Sequence, residues 1–255
     1  FKEALSALKL GNEKPVLIFD QQAEGTVDAF LSKIITKSFR EIKKASSLKR
    51  KSAPLSKLTI GLECGGSDGF SGITANPTLG LISDIISGLG GKSILAEFPE
   101  LAGVEQELVN RCISEALGIK FLNLMNEYEK KAEKVDSGFD MNPSPGNIKD
   151  GLITDAMKSA GAAKKSGNAP ITDVLNYTEY SKKAGVSLLC TPGNDVESTT
   201  ALAGSGTNII LFTTGLGTPT GNPITPVIKI STNSILKLKM RDIIDFDCGT
   251  IISKK

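Results

Sequence analysis

Three loops carry residue types suited to holding a polyhydroxylated ligand. The first runs Cys64-Gly65-Gly66-Ser67-Asp68-Gly69-Phe70-Ser71-Gly72-Ile73-Thr74-Ala75-Asn76-Pro77, the second Thr191-Pro192-Gly193-Asn194-Asp195, and the third Thr213-Thr214-Gly215-Leu216-Gly217-Thr218-Pro219-Thr220-Gly221-Asn222-Pro223. Their glycines allow close approach of the backbone, whose successive N–H groups attract carboxylate or phosphate. The hydroxyl and amide side chains beside them suit a ligand with several hydroxyls. Glycine also serves simple tight turns, which is the plainer use of each loop. Glu97 and Glu100 flank Phe98-Pro99 after an apolar run, as a base, a pair of metal ligands or solvated loop carboxylates. Lys164 and Lys165 read as a solvated charge pair in an exposed polar stretch.

Several chemistries are excluded or disfavoured. The 255 residues contain no histidine, so the commonest general base and every Ser-His or Cys-His pair are missing from this chain. A base here must be Asp, Glu, Lys, Tyr or Cys. The four cysteines, Cys64, Cys112, Cys190 and Cys248, form no CxxC pair, which is unlike a zinc motif or a disulfide scaffold and fits reduced thiols in a cytoplasm. Cys64, Cys190 and Cys248 each end an apolar run, a placement open to an iron–sulfur cluster and more ordinary for inert packing. Gly215-Leu216-Gly217 lacks the full dinucleotide spacing, and no Walker motif occurs. A net charge of +2, from 30 basic and 28 acidic residues, disfavours nucleic acid and membrane surfaces as partners. The apolar runs are strand-sized, well short of the roughly 20 residues of a membrane-spanning helix. No apolar leader opens the chain, and it begins with Phe1 rather than Met, as a piece of a longer protein would.

The elements that must position these loops alternate between two periods. Strands are expected at Pro15–Phe19, Leu58–Glu63, Lys92–Ala96, Val186–Cys190, Asn208–Phe212 and Val227–Ile230. A helix is expected from Thr26 to about Lys49, with an apolar stripe through Val27, Phe30, Leu31, Ile34, Ile35, Phe39 and Ile42. Another begins at Asn76 as N-cap with Pro77 in its first turn, buries Leu79, Ile82, Ile85, Ile86 and Leu89, and stops at Gly90-Gly91. Val104–Val135 reads as helix broken near Gly118, and shorter helices fall at Ile153–Ala163, Val196–Ala203 and Ile235–Met240. Asn142-Pro143-Ser144-Pro145-Gly146-Asn147 is a loop or linker, because its prolines exclude a helix interior or central strand. Such alternation implies an α/β fold: a largely parallel, Rossmann-like sheet with helices on both faces. Ligands of such sheets bind beyond the carboxyl ends of the strands, where all three loops begin.

The first loop, the Asn142–Asn147 turn and Phe212–Pro219, in that order, resemble the altronate/galactarate dehydratase family. Thr191–Asp195 also fits it, and Asp245-Phe246-Asp247-Cys248-Gly249 is similar to the family's closing segment, with Phe246 where an aliphatic residue is usual. The resemblance implies a cytoplasmic hydro-lyase acting on a sugar acid, altronate first, with galactarate dehydration, sulfolactate cleavage or a non-catalytic part of a composite site as alternatives. It implies dependence on a divalent metal, Fe2+ or Mn2+, and a homo-oligomer. Residues 1–52 would be the tail of a preceding α/β domain, residues 53–255 the C-terminal catalytic-region domain, and the family's N-terminal domains would be missing. Within the matching motifs, Asp68, Glu97 and Asp195 are the expected catalytic groups, with Asp68 and Glu97 also as metal ligands. Gly65, Gly66, Ser67, Ser71, Thr74, Asn76, Asn147, Thr213 and Thr214 would hold the sugar acid.

Overall fold

The computed structural model describes Glu3 and residues 15–253. The chain divides into two compact units, Phe1–Ala53 and Pro54–Lys255. In the first, α1 (Gln21–Glu24) precedes α2 (Val27–Ser46), which opens where the Thr26 hydroxyl accepts the Ala29 N–H. The expected apolar stripe is present on α2, and Val27, Leu31, Ile35, Phe39 and Ile42 all remain exposed. Pro15–Phe19 is not a strand: no described strand pairs with it, and an extended run without a partner leaves its ladder groups unmet.

The second unit is built on seven parallel strands: β1 (Thr59–Cys64), β2 (Lys92–Leu95), β3 (Ile171–Leu175), β4 (Gly185–Leu189), β5 (Ile209–Thr214), β6 (Val227–Ser231) and β7 (Phe246–Asp247). Their order is β3-β4-β2-β1-β5-β6-β7. The chain builds outward from β1 on one side as far as β4, then crosses to β5 on the other. The sequence thus has the α/β class and parallel sheet right, with a strand order that differs from the usual dinucleotide fold. Between and after the strands lie α3 (Ala75–Gly88), α4 (Glu105–Arg111), α5 (Glu115–Glu133), α6 (Pro145–Lys149), α7 (Asp155–Lys164), α8 (Asp195–Gly204), α9 (Ser234–Lys239) and α10 (Thr250–Ser253). No helix among the described residues is long and apolar enough to cross a membrane.

Alternation along the strands feeds two cores. Ile60, Leu62, Leu95, Val174 and Leu188 pack on one face with Leu79 of α3 and Phe121 of α5, while Ile94, Leu175, Leu189, Ile210 and Phe212 pack on the other with Ala201 and Leu202 of α8. Helices therefore cover both faces.

Several local expectations are corrected. The N-cap of α3 is Thr74, and Asn76 lies inside the first turn, where its amide is drawn into tertiary hydrogen bonds rather than a cap. Leu79 is buried on this helix, but Ile85 and Leu89 are exposed, and Gly80 and Ser83 face inward against the segment after α7. The helical break falls at Cys112–Ser114, where Cys112 bridges to Ile171 and Ser114 caps α5. Gly118 instead sits within α5, because a side chain there would press on Val109 of α4. Pro145 opens the one-turn α6, with Ser144 and Asn147 forming a capping box. Strand β3, absent from the sequence expectation, carries Thr172 and Asp173, which hide its apolar pattern.

Candidate functional site

The carboxyl ends of β1, β2 and β4 converge on a cavity of about 490 Å³. Strand β1 ends in Glu63-Cys64, both buried; Glu97 and Glu100 follow β2, both buried; Asp195 opens α8 after β4. One oxygen each of Glu63, Glu97 and Asp195 lies within 4.8 Å of the others, and Cys64, Glu97 and Glu100 form a second such trio. Glu97 is held by the second loop: its N–H donates to the Thr191 hydroxyl at 2.8 Å, and its backbone is left-handed, with φ of 70° and ψ of 70°. Gly65 is required because a Cβ there would lie 2.6 Å from both Asp195 carboxylate oxygens.

Two lysines neutralise part of this charge. Lys158 lies within α7 and Lys165 is its C-cap, seven residues apart and so on one helical face. Lys165 is fully buried, with its ammonium 2.9 Å from the Cys64 Sγ, 3.3 Å from Glu97 and 3.2 Å from Glu100. Lys158 pairs with the other oxygen of Glu100 and reaches the Ser67 hydroxyl at 3.4 Å. The solvated-pair expectation therefore holds for exposed Lys164 and fails for Lys165. Small residues explain the difference: Gly161 meets Gly72 and Gly167 meets Gly80 so closely that added Cβ atoms would press on backbone, which draws α7 and its lysines onto the β1 loop.

The environment sorts the acids. Burial opposes charge on Glu100, but Lys158, Lys165 and the Cys64 thiol outweigh it and hold the carboxyl well below its ordinary range. Burial and neighbouring Glu100 push Glu97 up to about 7, against the pull of Lys165. Burial, reinforced by Glu97, pushes Glu63 well above its ordinary value. Ser198 of α8 donates to one Glu63 oxygen at 2.5 Å, while the other is buried with no hydrogen-bond partner. Asp195 is raised by burial.

Glu63, Phe212 and Lys229 align in register across β1, β5 and β6. The Lys229 ammonium sits 3.1 Å from the Phe212 ring centroid, buried and without a hydrogen-bond partner. Burial brings it down to about 8 against the pull of Asp195, Glu63 and Asp245.

The residues named from sequence separate into two groups. Gly65, Gly66, Glu97, Asn147 and Asp195 line the cavity, and Ser67 stands behind Lys158. The others build the frame. Asp68 accepts from the Phe70 N–H and Ser71 hydroxyl at 3.1 Å each, the Thr232 hydroxyl at 2.8 Å and the Asn233 amide at 3.1 Å, which saturates its carboxylate. Thr74 donates to the Thr232 carbonyl, Asn76 joins Gly161 to Thr213, and Thr214 accepts the Gly217 and Thr218 N–H groups. Sequence reasoning missed Glu63, Lys158, Lys165 and Lys229 as parts of the site. A signal existed for Glu63, a carboxylate inside an otherwise uncharged strand, and for Lys158 and Lys165, seven residues apart across the small-residue run Ser159-Ala160-Gly161-Ala162-Ala163.

Cys64 contacts this cluster, whereas the Cys248 thiol lies against the Thr78 hydroxyl. Among the described residues, the three strand-ending cysteines do not form a ligand group.

The family model for the C-terminal region of D-galactarate/altronate dehydratase matches residues 55–255. The chain is 46% identical over 207 residues to an altronate dehydratase of Escherichia coli, covering 81% of this chain and 42% of that protein. It is 42% identical over 250 residues to an altronate dehydratase of Bacillus subtilis, covering 98% and 49%. A galactarate dehydratase (L-threo-forming) of Escherichia coli is 36% identical over 212 residues, covering 83% and 40%. The chain thus spans less than half the length of each of these relatives.

Proposed function

Because the chain belongs to the D-galactarate/altronate dehydratase family, we propose that it supplies the acidic wall of a sugar-acid dehydratase site, with altronate as substrate and 2-dehydro-3-deoxygluconate as product. The observation that carries the reading is the trio Glu63, Glu97 and Asp195 at the carboxyl ends of neighbouring parallel strands, beside a cavity sized for a six-carbon acid. Dehydration removes the proton next to a carboxylate and expels the neighbouring hydroxyl, so negative charge builds on the carboxylate end.

The same trio fits a divalent metal. Glu63 has a buried oxygen without a partner, and an all-carboxylate donor set suits Mn2+ or Fe2+. The trio of Cys64, Glu97 and Glu100 does not fit, because the Lys165 ammonium already supplies its cation. Glu63, Glu97 and Asp195 would hold the ion, which stabilises the charge developing on the substrate carboxylate. Glu97 would give up its proton as the ion binds, since carboxylate ligands must be ionised. Gly65 and Gly66 leave room for the sugar acid, and Asn147, its amide held by the Ser67 carbonyl and by Ser144, lines the wall beside them.

Glu97 is the cavity-lining carboxylate poised near neutrality, and here it is committed to the ion. With Glu63, Glu97 and Asp195 holding the ion and Lys158 and Glu100 paired to each other, the base that takes the carbon-bound proton would, in this reading, be supplied by the part of the enzyme outside this chain. The site is composite in this reading, as expected for a histidine-free piece.

The test is turnover of altronate, galactarate, glucarate and sulfolactate by the full-length enzyme, with added Mn2+ or Fe2+ and with chelator. Chelator-sensitive loss of water from altronate, and little turnover by the 255-residue chain alone, are expected. Chelator-insensitive turnover would overturn the metal assignment. Faster consumption of galactarate or sulfolactate would overturn the substrate.

A further inference from the structure

The cavity is electrostatically lopsided. Glu97, Glu100 and Asp195 line it, and Lys158 is the one cation among its described lining residues. Among these charged groups, Lys158 is the one that attracts an anion. That ammonium has three N–H donors. One goes to Glu100 and one to the Ser67 hydroxyl, which leaves the third for a ligand. Lys158 and Lys165 take the two oxygens of Glu100, and Lys165 also pairs with Glu97. Lys158 is therefore the ammonium of this cluster that faces the cavity.

The position of this charge is fixed. Lys158 is buried, its helix is pinned by the contact of Gly161 with Gly72, and the neighbouring Ser67 carbonyl accepts the Asn147 amide at 2.8 Å. The opposite part of the cavity is made by Tyr128, Phe139, Met141 and Leu216, with no cation among them.

We propose that Lys158 is the residue of this chain that receives the substrate carboxylate. This rests on the dehydratase reading for the substrate class, but its test reads binding, so the two can fail separately. Full-length wild-type enzyme, Lys158→Met and Lys158→Arg are titrated calorimetrically under chelator, which separates binding from turnover. The probes are altronate and the uncharged polyol altritol.

Altronate binding is expected to weaken about 10- to 100-fold in Lys158→Met, the scale of one charge-assisted hydrogen bond. Altritol binding should change less than about twofold, and Lys158→Arg should recover much of the altronate affinity, a pattern that general damage to the fold does not produce. Equal weakening of altronate and altritol, unchanged altronate binding, or no altronate binding by the wild type would overturn the role of Lys158. Absence of dehydration with altronate bound in the expected pattern would sink the catalytic reading and leave the Lys158 assignment standing.

Discussion

Asp68 and Glu63 stand near each other in sequence, one in the loop after β1 and one in the strand itself, yet their surroundings treat them oppositely. Asp68 has four donors on its two oxygens, while Glu63 has one donor on one oxygen and a bare, buried second oxygen. A saturated carboxylate is spent on joining the β1 loop to the end of β6. An under-satisfied one, crowded by Glu97 and Asp195, is what the proposed divalent ion would complete. The contrast teaches that an acidic residue in a glycine-rich loop is less informative than an acidic residue whose hydrogen bonds do not close.

The comparison breaks most visibly in catalysis. Glu97→Gln in the full-length enzyme should lower turnover by at least about 100-fold while leaving a folded protein, because it removes a ligand of the proposed ion, whose outer-shell partners alone are worth about 10- to 100-fold. Asp68→Asn should cost turnover far less; if steady-state assays give both variants the same loss, the division between frame and site is wrong. Asp68→Ala sharpens the other half. It leaves the Thr232 and Asn233 donors unpaired and should lower the unfolding free energy by about 2–4 kcal/mol in a denaturant titration. Gly161→Ala, which places a methyl 3.1 Å from the Gly72 Cα, should cost about 1–3 kcal/mol through overpacking. The same titration checks it.

The smallest effect is a pH slope. Glu97 titrates near 7 in the folded protein and near the ordinary carboxylate value when unfolded, so the folded state holds the extra proton between those points. Its contribution to stability is fully present below the unfolded value and is lost as pH rises through about 7. Glu97→Gln should flatten the fall in stability over that window. An unaltered slope would move the titration to another group.

The parallel sheet was legible because β1, β2, β4, β5 and β6 are buried on both faces and read as apolar runs. Strand β3 was not, since Thr172 and Asp173 are only half-buried beside the edge. Glycine-rich loops located the cavity because close approach needs glycine, as at Gly65 against Asp195. Lys165 escaped because a charge pair at a helix end looks solvated until the packing of Gly161 and Gly167 is known. Burial of a lysine is decided by partners 65 and more residues away, which no local pattern encodes.

The left-handed backbone of Glu97 sets stability against use. A residue with a Cβ is disfavoured there, glycine is at ease, and glycine would also remove a carboxylate that burial penalises. A library screened only for heat resistance should therefore enrich Glu97→Gly, and the sturdier proteins it returns would have lost the group that links the two acidic trios.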